Sequence, residues 1–416
     1  MSDKIKIFTI GDHPLSPSGV GTQTKYIIEG MLKTGKYQFL SFGGAIKHPN
    51  HQPQTTEAWG EDWIIWPVDG YGNPDMVRAM IHQNKPDILW FMTDPRFFSW
   101  LWQIENEIRA TVPMVYYHVW DNYPYPSFNR SKYLSNDHIA CISKLTHDIV
   151  QTVAPETDSS YIPHAVDSDI FKPLTPEMIT KHRQQRGLDD KFVCFWNNRN
   201  ARRKQSGTLI YWFKEFLDKV GHDKATLIMH TDVKDVHGQD LEAIIQELGL
   251  TNGEILFSRD KVSAQDLSMV YNMADLTINI SDAEGFGLAT LESLSSGTPI
   301  LVNMTGGLQD QVTDGENWFG IGLEPASKAI IGSQDVPYIY EDRLGKDQVV
   351  NALMELYEMG DEGRAKLGSL GREWVKKQFN FETFTQRWDE LFTRIHEEKG
   401  SWDDRTGYNA YEVREF

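Results

Sequence analysis

Glu284 and Glu292 stand eight residues apart and bracket the run Gly285-Phe286-Gly287-Leu288. Carboxylates accept hydrogen bonds from hydroxyls, and glycines between them let bare backbone approach a ligand closely. A strand over 275–280 gives way to this Gly-rich turn, and a helix begins near Gly287. The turn therefore feeds a helix N-terminus, whose unpaired N–H groups and positive dipole end favour an anion such as phosphate. Eight residues of helical rise separate the two glutamates by ~12 Å, beyond the roughly 5 to 9.5 Å of a glycosidase carboxylate pair. That spacing suits holding two ends of one ligand.

A nucleoside diphosphate sugar has hydroxyls at both ends and a diphosphate between them, in the order carboxylate, helix N-terminus, carboxylate. The pattern of Ser281, Glu284, Gly285, Phe286, Gly287 and Leu288, then Glu292, a G-x-P at Gly297 to Pro299 and the loop Thr305-Gly306-Gly307, resembles the retaining glycosyltransferases of family 4, the group 1 glycosyltransferases. The resemblance spans about 4–398, with its specific part between Arg199 and Gly307. It implies the GT-B fold, an α/β architecture of two Rossmann-like doubly wound domains facing across a cleft. It also implies donor contacts from Gly285, Phe286, Gly287 and Leu288, with Glu284 at the sugar end and Glu292 at the nucleotide end.

Further positions follow from the same resemblance. In PSGVGTQT, Gly19 and Gly21 occupy the Gly-rich loop that approaches the donor phosphate. In NNRNARRKQSG, Arg199 and Lys204 hold the Arg-x4-Lys places that neutralise the leaving diphosphate, while Arg202 and Arg203 read as a solvated basic turn. His118, at a strand end in VYYHVWDNYPYP, matches a histidine that reaches the donor sugar and acceptor. The catalytic set implied is thus Glu284, His118, Arg199 and Lys204. The aromatic loop over 120–128 reads as packing. Asp167-Ser168-Asp169 has a metal-binding D-x-D form, but IPHAVDSDIFKP matches an interdomain segment, so no metal site and no cofactor are expected. The chain departs from the family pattern at His164-Ala165, Asn198 and Arg259, which leaves base recognition open.

Several elements must position these groups. Short apolar runs alternate with helix-length amphipathic segments, the rhythm of βαβ units and a parallel sheet. Strands are expected over 4–10, 37–42, 63–68, 88–92, 114–119 and 138–143, then 191–196, 225–230, 254–257, 275–280 and 299–303. A Pro-punctuated stretch near 163–176 divides the two series. The domains read as 1–165 on the acceptor side, with a C-terminal helix over 381–398 and its tail to 416 packing back, and 166–380 on the donor side.

The 416 residues fit two or three domains, and 40% hydrophobic residues fit a folded chain. A net charge of -18 disfavours stable binding to polyanions. A flipped, hydroxymethylated DNA base still stands among the acceptors, beside glycans, lipid-linked sugars, proteins and small metabolites. Cys141 and Cys194 lie in apolar runs and fit a reducing, cytoplasmic setting. No export signal or membrane-spanning stretch is read. The expected activity is metal-independent, retaining transfer of a sugar from a nucleoside diphosphate sugar to a hydroxyl. A sugar-nucleotide epimerase, a phosphorylase and a noncatalytic sugar-nucleotide binder are the alternatives. Donor base and sugar, acceptor, linkage and oligomeric state stay open.

Overall fold

The computed structural model describes residues 4–122 and 125–409. The chain forms two compact units, one of Met1–Ala165, Gly332–Ile339 and Phe381–Phe416, the other of Val166–Ile331 and Tyr340–Asn380. Residues 123–124 of the aromatic loop and 410–416 of the expected docked tail lie outside the described residues.

The first unit holds strands β1 (Ile5–Asp12), β2 (Tyr37–Gly44), β3 (Gln54–Thr55), β4 (Trp63–Pro67), β5 (Ile88–Met92), β6 (Met114–His118), β7 (His138–Cys141) and β8 (Ser159–Tyr161). Their order is β3-β4-β2-β1-β5-β6-β7-β8. Every pairing is parallel except that of β3 with β4. All five residues of β5 are buried, as a parallel strand covered by helices on both faces requires, whereas the edge strand β3 is exposed. Helix Phe381–Lys399 packs on helix Gly19–Lys33, where Tyr26 meets Phe381 edge-on at 4.6 Å between ring centroids. Trp388 is fully buried against Trp90 and Tyr117. After this helix Trp402 donates from its indole to the Pro86 carbonyl at 3.0 Å.

Gly332–Ile339 was not legible as part of this unit, since the sequence boundaries carry the second domain unbroken to 380. Its Val336 joins the first unit's core, and its Tyr338 meets Phe128 edge-on at 5.0 Å. One valine and one tyrosine in a polar, Pro-containing stretch leave no periodic signal.

The second unit has β9 (Phe192–Asn197), β10 (Ala225–His230), β11 (Ile255–Ser258), β12 (Leu276–Asn279), β13 (Ile300–Asn303) and β14 (Gly320–Leu323), ordered β11-β10-β9-β12-β13-β14. All five pairings are parallel. The order reverses between β9 and β12, so the loops following these two strands flank the switch point where open α/β sheets bind ligands. Both loops carry the polar runs singled out above. A two-stranded sheet pairs β15 (Ser327–Ile331) with β16 (Ile339–Arg343). The strands β8, β14, β15 and β16 are too short or too polar to stand out in the sequence. Among the described residues no helix is long and apolar enough to cross a membrane.

Candidate functional site

After β12 the chain turns through Ser281, Asp282, Ala283, Glu284, Gly285 and Phe286 into helix Leu288–Ser295. Its N-cap is Gly287 at φ +91°, a left-handed conformation that disfavours side chains, and no side chain caps the first turn. The helix thus presents its first N–H groups and positive dipole end without a capping oxygen of its own. Gly307 holds the turn from the other side. A Cβ there would lie 2.6 Å from the Gly285 carbonyl oxygen and 2.7 Å from the Phe286 Cα. Its N–H donates to the Glu284 carbonyl at 3.1 Å. Gln311, buried, donates from its side chain to the Phe286 and Gly287 carbonyls at 2.7 and 3.1 Å.

The structure brings Glu284 and Lys204 together as an ion pair, with side chains only 12% and 8% exposed. Asn279, the last residue of β12, donates to the same carboxylate oxygen at 3.2 Å. Burial alone would push the Glu284 carboxyl up. Lys204, the nearby Arg203 and the Asn279 bond outweigh it and hold the carboxyl below the ordinary range. Arg203 is itself tied to this turn, its guanidinium donating to the Ala283 carbonyl. The expectation of a merely solvated turn is corrected for Arg203, while Arg202 is exposed and paired with Glu341.

Glu292, one helical face further on, has a different environment. It accepts a hydrogen bond from the Tyr271 hydroxyl at 2.8 Å and has no ion pair among the described residues. Burial pushes its carboxyl up to about 7, against the Tyr271 bond, which pulls it down. The two glutamates therefore differ in charge readiness: one is fixed as an anion, the other is poised near neutrality. Asp282, between β12 and Glu284, is also raised, to about 6, by burial despite its bond from Gln205.

Residues 178–330 match the family model for glycosyl transferases, group 1. The second unit is a group 1 glycosyl transferase domain. The chain is 24% identical over 266 residues to the GDP-mannose-dependent alpha-(1-6)-phosphatidylinositol monomannoside mannosyltransferase of Mycolicibacterium smegmatis, covering 62% of each chain. It is 27% identical over 190 residues to the mannosylfructose-phosphate synthase of Agrobacterium fabrum, covering 44% of this chain and 41% of the relative. The matched stretch thus spans about three fifths or less of these relatives' length. Over the whole chain the fold is GT-B. Sucrose-phosphate synthase from Thermosynechococcus elongatus superposes with a TM-score of 0.73 at 16% identity, covering 95% of this chain and all of that one. Anabaena HepE in complex with UDP-glucose gives 0.68 at 16% identity, covering 93% and 99%.

Within the group 1 glycosyl transferase domain, Arg199 stands apart from the Lys204–Glu284 pair. Its side chain is 60% exposed and bonds Asp235 at 2.6 and 3.1 Å. Arg259 is likewise paired, with Glu242 at 2.6 Å. Asp167 of the D-x-D run accepts from the backbone N–H groups of Asp169 and Ile170 at 3.0 and 3.2 Å, as a chain-turning aspartate does. Among the described residues no group of three histidine, cysteine or acidic side chains could hold a metal ion.

In the first unit, His118 and Gly21 are each held by their own neighbours. His118 is fully buried, with Nδ1 3.1 Å from the Tyr116 hydroxyl and Nε2 2.8 Å from that of Tyr133. Burial, helped by the charge of Lys132, drives its pKa down to about 3, so the imidazole is held neutral among these core side chains. Gly21 serves local packing: a Cβ there would meet Ser16 Oγ at 2.6 Å and the His13 carbonyl at 2.7 Å. Its N–H is capped by the Ser18 hydroxyl at 2.9 Å, so it is not a bare donor awaiting phosphate. Gly19 is exposed as the first residue of its helix. Sequence reasoning missed Asn279, Arg203, Tyr271 and Asn197. Asn279 and Asn197 end β12 and β9 and could have been found by the loop-after-strand rule. Tyr271 lies inside an amphipathic helix and reads as core.

Proposed function

We propose that the protein is a retaining glycosyltransferase that moves a sugar from a nucleoside diphosphate sugar to an acceptor hydroxyl without a divalent metal. The observation that carries this reading is the sequence of charges along one turn and helix. An ionised carboxylate held by Lys204 comes first, an uncapped helix N-terminus second, and the Glu292 carboxyl third. The relative from Mycolicibacterium is described as GDP-mannose-dependent and the HepE structure contains UDP-glucose, which supports a nucleoside diphosphate sugar as donor.

In this reading Glu284 accepts hydroxyl protons of the donor sugar and orients its anomeric carbon. Glu292 receives hydroxyls of the nucleoside. The diphosphate lies at the first turn of helix Leu288–Ser295, where N–H dipoles and the Lys204 ammonium stabilise charge as it develops on the leaving oxygen. Arg199 reaches the same group from its exposed place by exchanging Asp235 for phosphate. The bond from the anomeric carbon to the diphosphate oxygen breaks while the acceptor oxygen bonds the same face of the sugar. The acceptor proton passes to the departing phosphate. With His118 buried as a neutral core residue, this route needs no enzymatic base from that position.

The test has two steps. Thermal shifts with UDP, GDP, ADP and their sugars should reveal a stabilising donor, worth ~2.7 kcal/mol at 100 times its dissociation constant. Transfer is then measured after exhaustive chelation, and the product anomer is read from proton NMR couplings. An inverted anomer, or activity lost on chelation and restored by magnesium or manganese, refutes the assignment.

A further inference from the structure

Tyr271 is fully buried and joins two elements of the second unit through its hydroxyl. It accepts a hydrogen bond from the side-chain amide of Asn197 at 2.9 Å and donates to Glu292 Oε2 at 2.8 Å. The direction of this chain is fixed by chemistry. The Asn197 Nδ2 can only donate, so the single hydroxyl proton of Tyr271 is turned toward the carboxyl. Packing fixes the ring as well: Phe195 of β9 meets it edge-on at 5.0 Å and Phe171 at 5.9 Å. Thr298 donates to the Tyr271 carbonyl at 2.7 Å.

We propose that Tyr271 is a positioning residue that locks the Glu292 carboxyl in the rotamer and charge state in which it receives the nucleoside end of the donor. The proposal rests on the reading that Glu292 contacts that end. Among the described residues Tyr271 is the sole hydrogen-bond donor to Glu292. Of the elements packed on helix Leu288–Ser295, β12 and β13 carry no charged side chain. Helix Ala264–Met273 has Asp266 bonded to Ser263. Helix Gly360–Gln378 directs Arg372 to the Ser295 carbonyl and Arg364 to Asp361 and Asp275. No cation is thereby spent on Glu292, and the tyrosine hydroxyl is left as the group that favours its ionised form. Burial places that ionisation at about 7, so nucleotide affinity is expected to rise as pH passes upward through that value.

The experiment measures dissociation constants of UDP, GDP and ADP by calorimetry between pH 6 and 8.5 for the intact chain and for Tyr271→Phe, Glu292→Gln and the double variant. Tyr271→Phe should weaken the preferred nucleotide about tenfold at pH 7, the scale of one hydrogen bond to a charged group. It should also move the midpoint of the pH profile upward, because the carboxylate has lost its donor. Turnover at saturating donor should hold while KM rises. Glu292→Gln should flatten the pH profile, and adding Tyr271→Phe to it should change little. Asn197→Ala, which spares the ring, should reproduce the upward shift in smaller measure should Tyr271→Phe fail to fold. A pH midpoint unmoved by both variants, or equal weakening by Tyr271→Phe with and without Glu292, overturns the proposal. Failure of all three nucleotides to bind the intact chain overturns instead the functional reading beneath it.

Discussion

Replacing Lys204 with methionine isolates the ion pair at the centre of the site. Methionine keeps the apolar stem and removes the ammonium, leaving the Glu284 carboxylate, 12% exposed, with one hydrogen-bond donor, Asn279, and the field of Arg203. Breaking a buried pair from one side costs about 3 to 5 kcal/mol. Because Asn279 and Arg203 remain, the loss at pH 7.5 should fall at the lower end, about 3 kcal/mol. The pH dependence has a definite sign. The folded Glu284 carboxyl titrates below its ordinary value of 4.5, so the pair's contribution is complete above that value and fades as pH falls through the depressed one. Without Lys204 the folded carboxyl titrates higher, and the deficit against the natural protein narrows in acid. Urea unfolding at pH 7.5 and 4.5 measures both. In Lys204→Met with Glu284→Gln about 2 kcal/mol should return, since the uncompensated charge is gone. Turnover should stay down by at least ~10² to 10³, because in the proposed reading both the cation at the leaving phosphate and the carboxylate that orients the sugar are missing. A loss below about 1 kcal/mol at pH 7.5, or an equal loss on the Glu284→Gln background, would show that the pair is not the buried, mutually dependent unit described.

Gly307→Ala places a methyl group 2.6 Å from the Gly285 carbonyl and 2.7 Å from the Phe286 Cα. Backbone has no rotamer to yield, so a loss of about 2 kcal/mol and weaker donor binding are expected in thermal-shift titrations. Glu284→Gln should abolish most transfer while leaving free nucleoside diphosphate binding intact, and Glu292→Gln should weaken that binding by about 1.5 to 3 kcal/mol; calorimetry that shows equal effects on the bare nucleotide contradicts the two-ended grip. Arg199→Ala should change stability by under about 1 kcal/mol, its partner Asp235 being met at the surface, yet lower turnover more than it raises KM for donor. Unchanged turnover would remove it from the phosphate site. His118→Leu should destabilise by about 2 kcal/mol by removing the imidazole partner of the Tyr133 hydroxyl and one of the two bonds of Tyr116, whose hydroxyl still donates to the Thr93 carbonyl, with turnover per folded molecule preserved. Since the folded imidazole titrates near 3 and the free one at 6.5, His118 contributes stability above pH 6.5 that is lost as pH falls, and the variant should lose that part of the acid dependence in unfolding titrations.

The alternation of apolar runs and amphipathic segments was enough to fix the class. Burial on both faces forces a parallel strand such as β5 to be apolar throughout, and β5 and β10 begin and end where the composition says they should. The Gly-rich turn was equally legible, because a left-handed N-cap and a backbone-on-backbone approach at Gly307 leave few residue types to choose from. Edge elements were not. β14, β15 and β16 are short and half-exposed, and their residues carry little of the pattern that burial imposes.

Side-chain roles divided along a different line. The sequence by itself determined which residues stand next to a switch point, since strand ends and glycine turns are local, and it supplied Glu284, Glu292, Lys204 and Arg199 as candidates. Only the tertiary structure decided which partners they take. His118 ends a strand and Lys204 follows one, and both were candidates, yet His118 is enclosed by two tyrosines from β6 and the segment after it, while Lys204 meets a carboxylate 80 positions away. Arg203 and Arg199 are four residues apart and chemically identical, and they separate because one faces the Ala283 carbonyl and the other Asp235. Tyr271 reads as core because its ring is core, and its hydroxyl acquires its partners only when Asn197 and Glu292, 74 and 21 positions distant, close around it. The physical reason is range. Backbone conformation and hydrophobic period are set by neighbours along the chain, whereas the charge and direction of a buried polar group are set by whichever distant groups the fold leaves within about 3 Å of it.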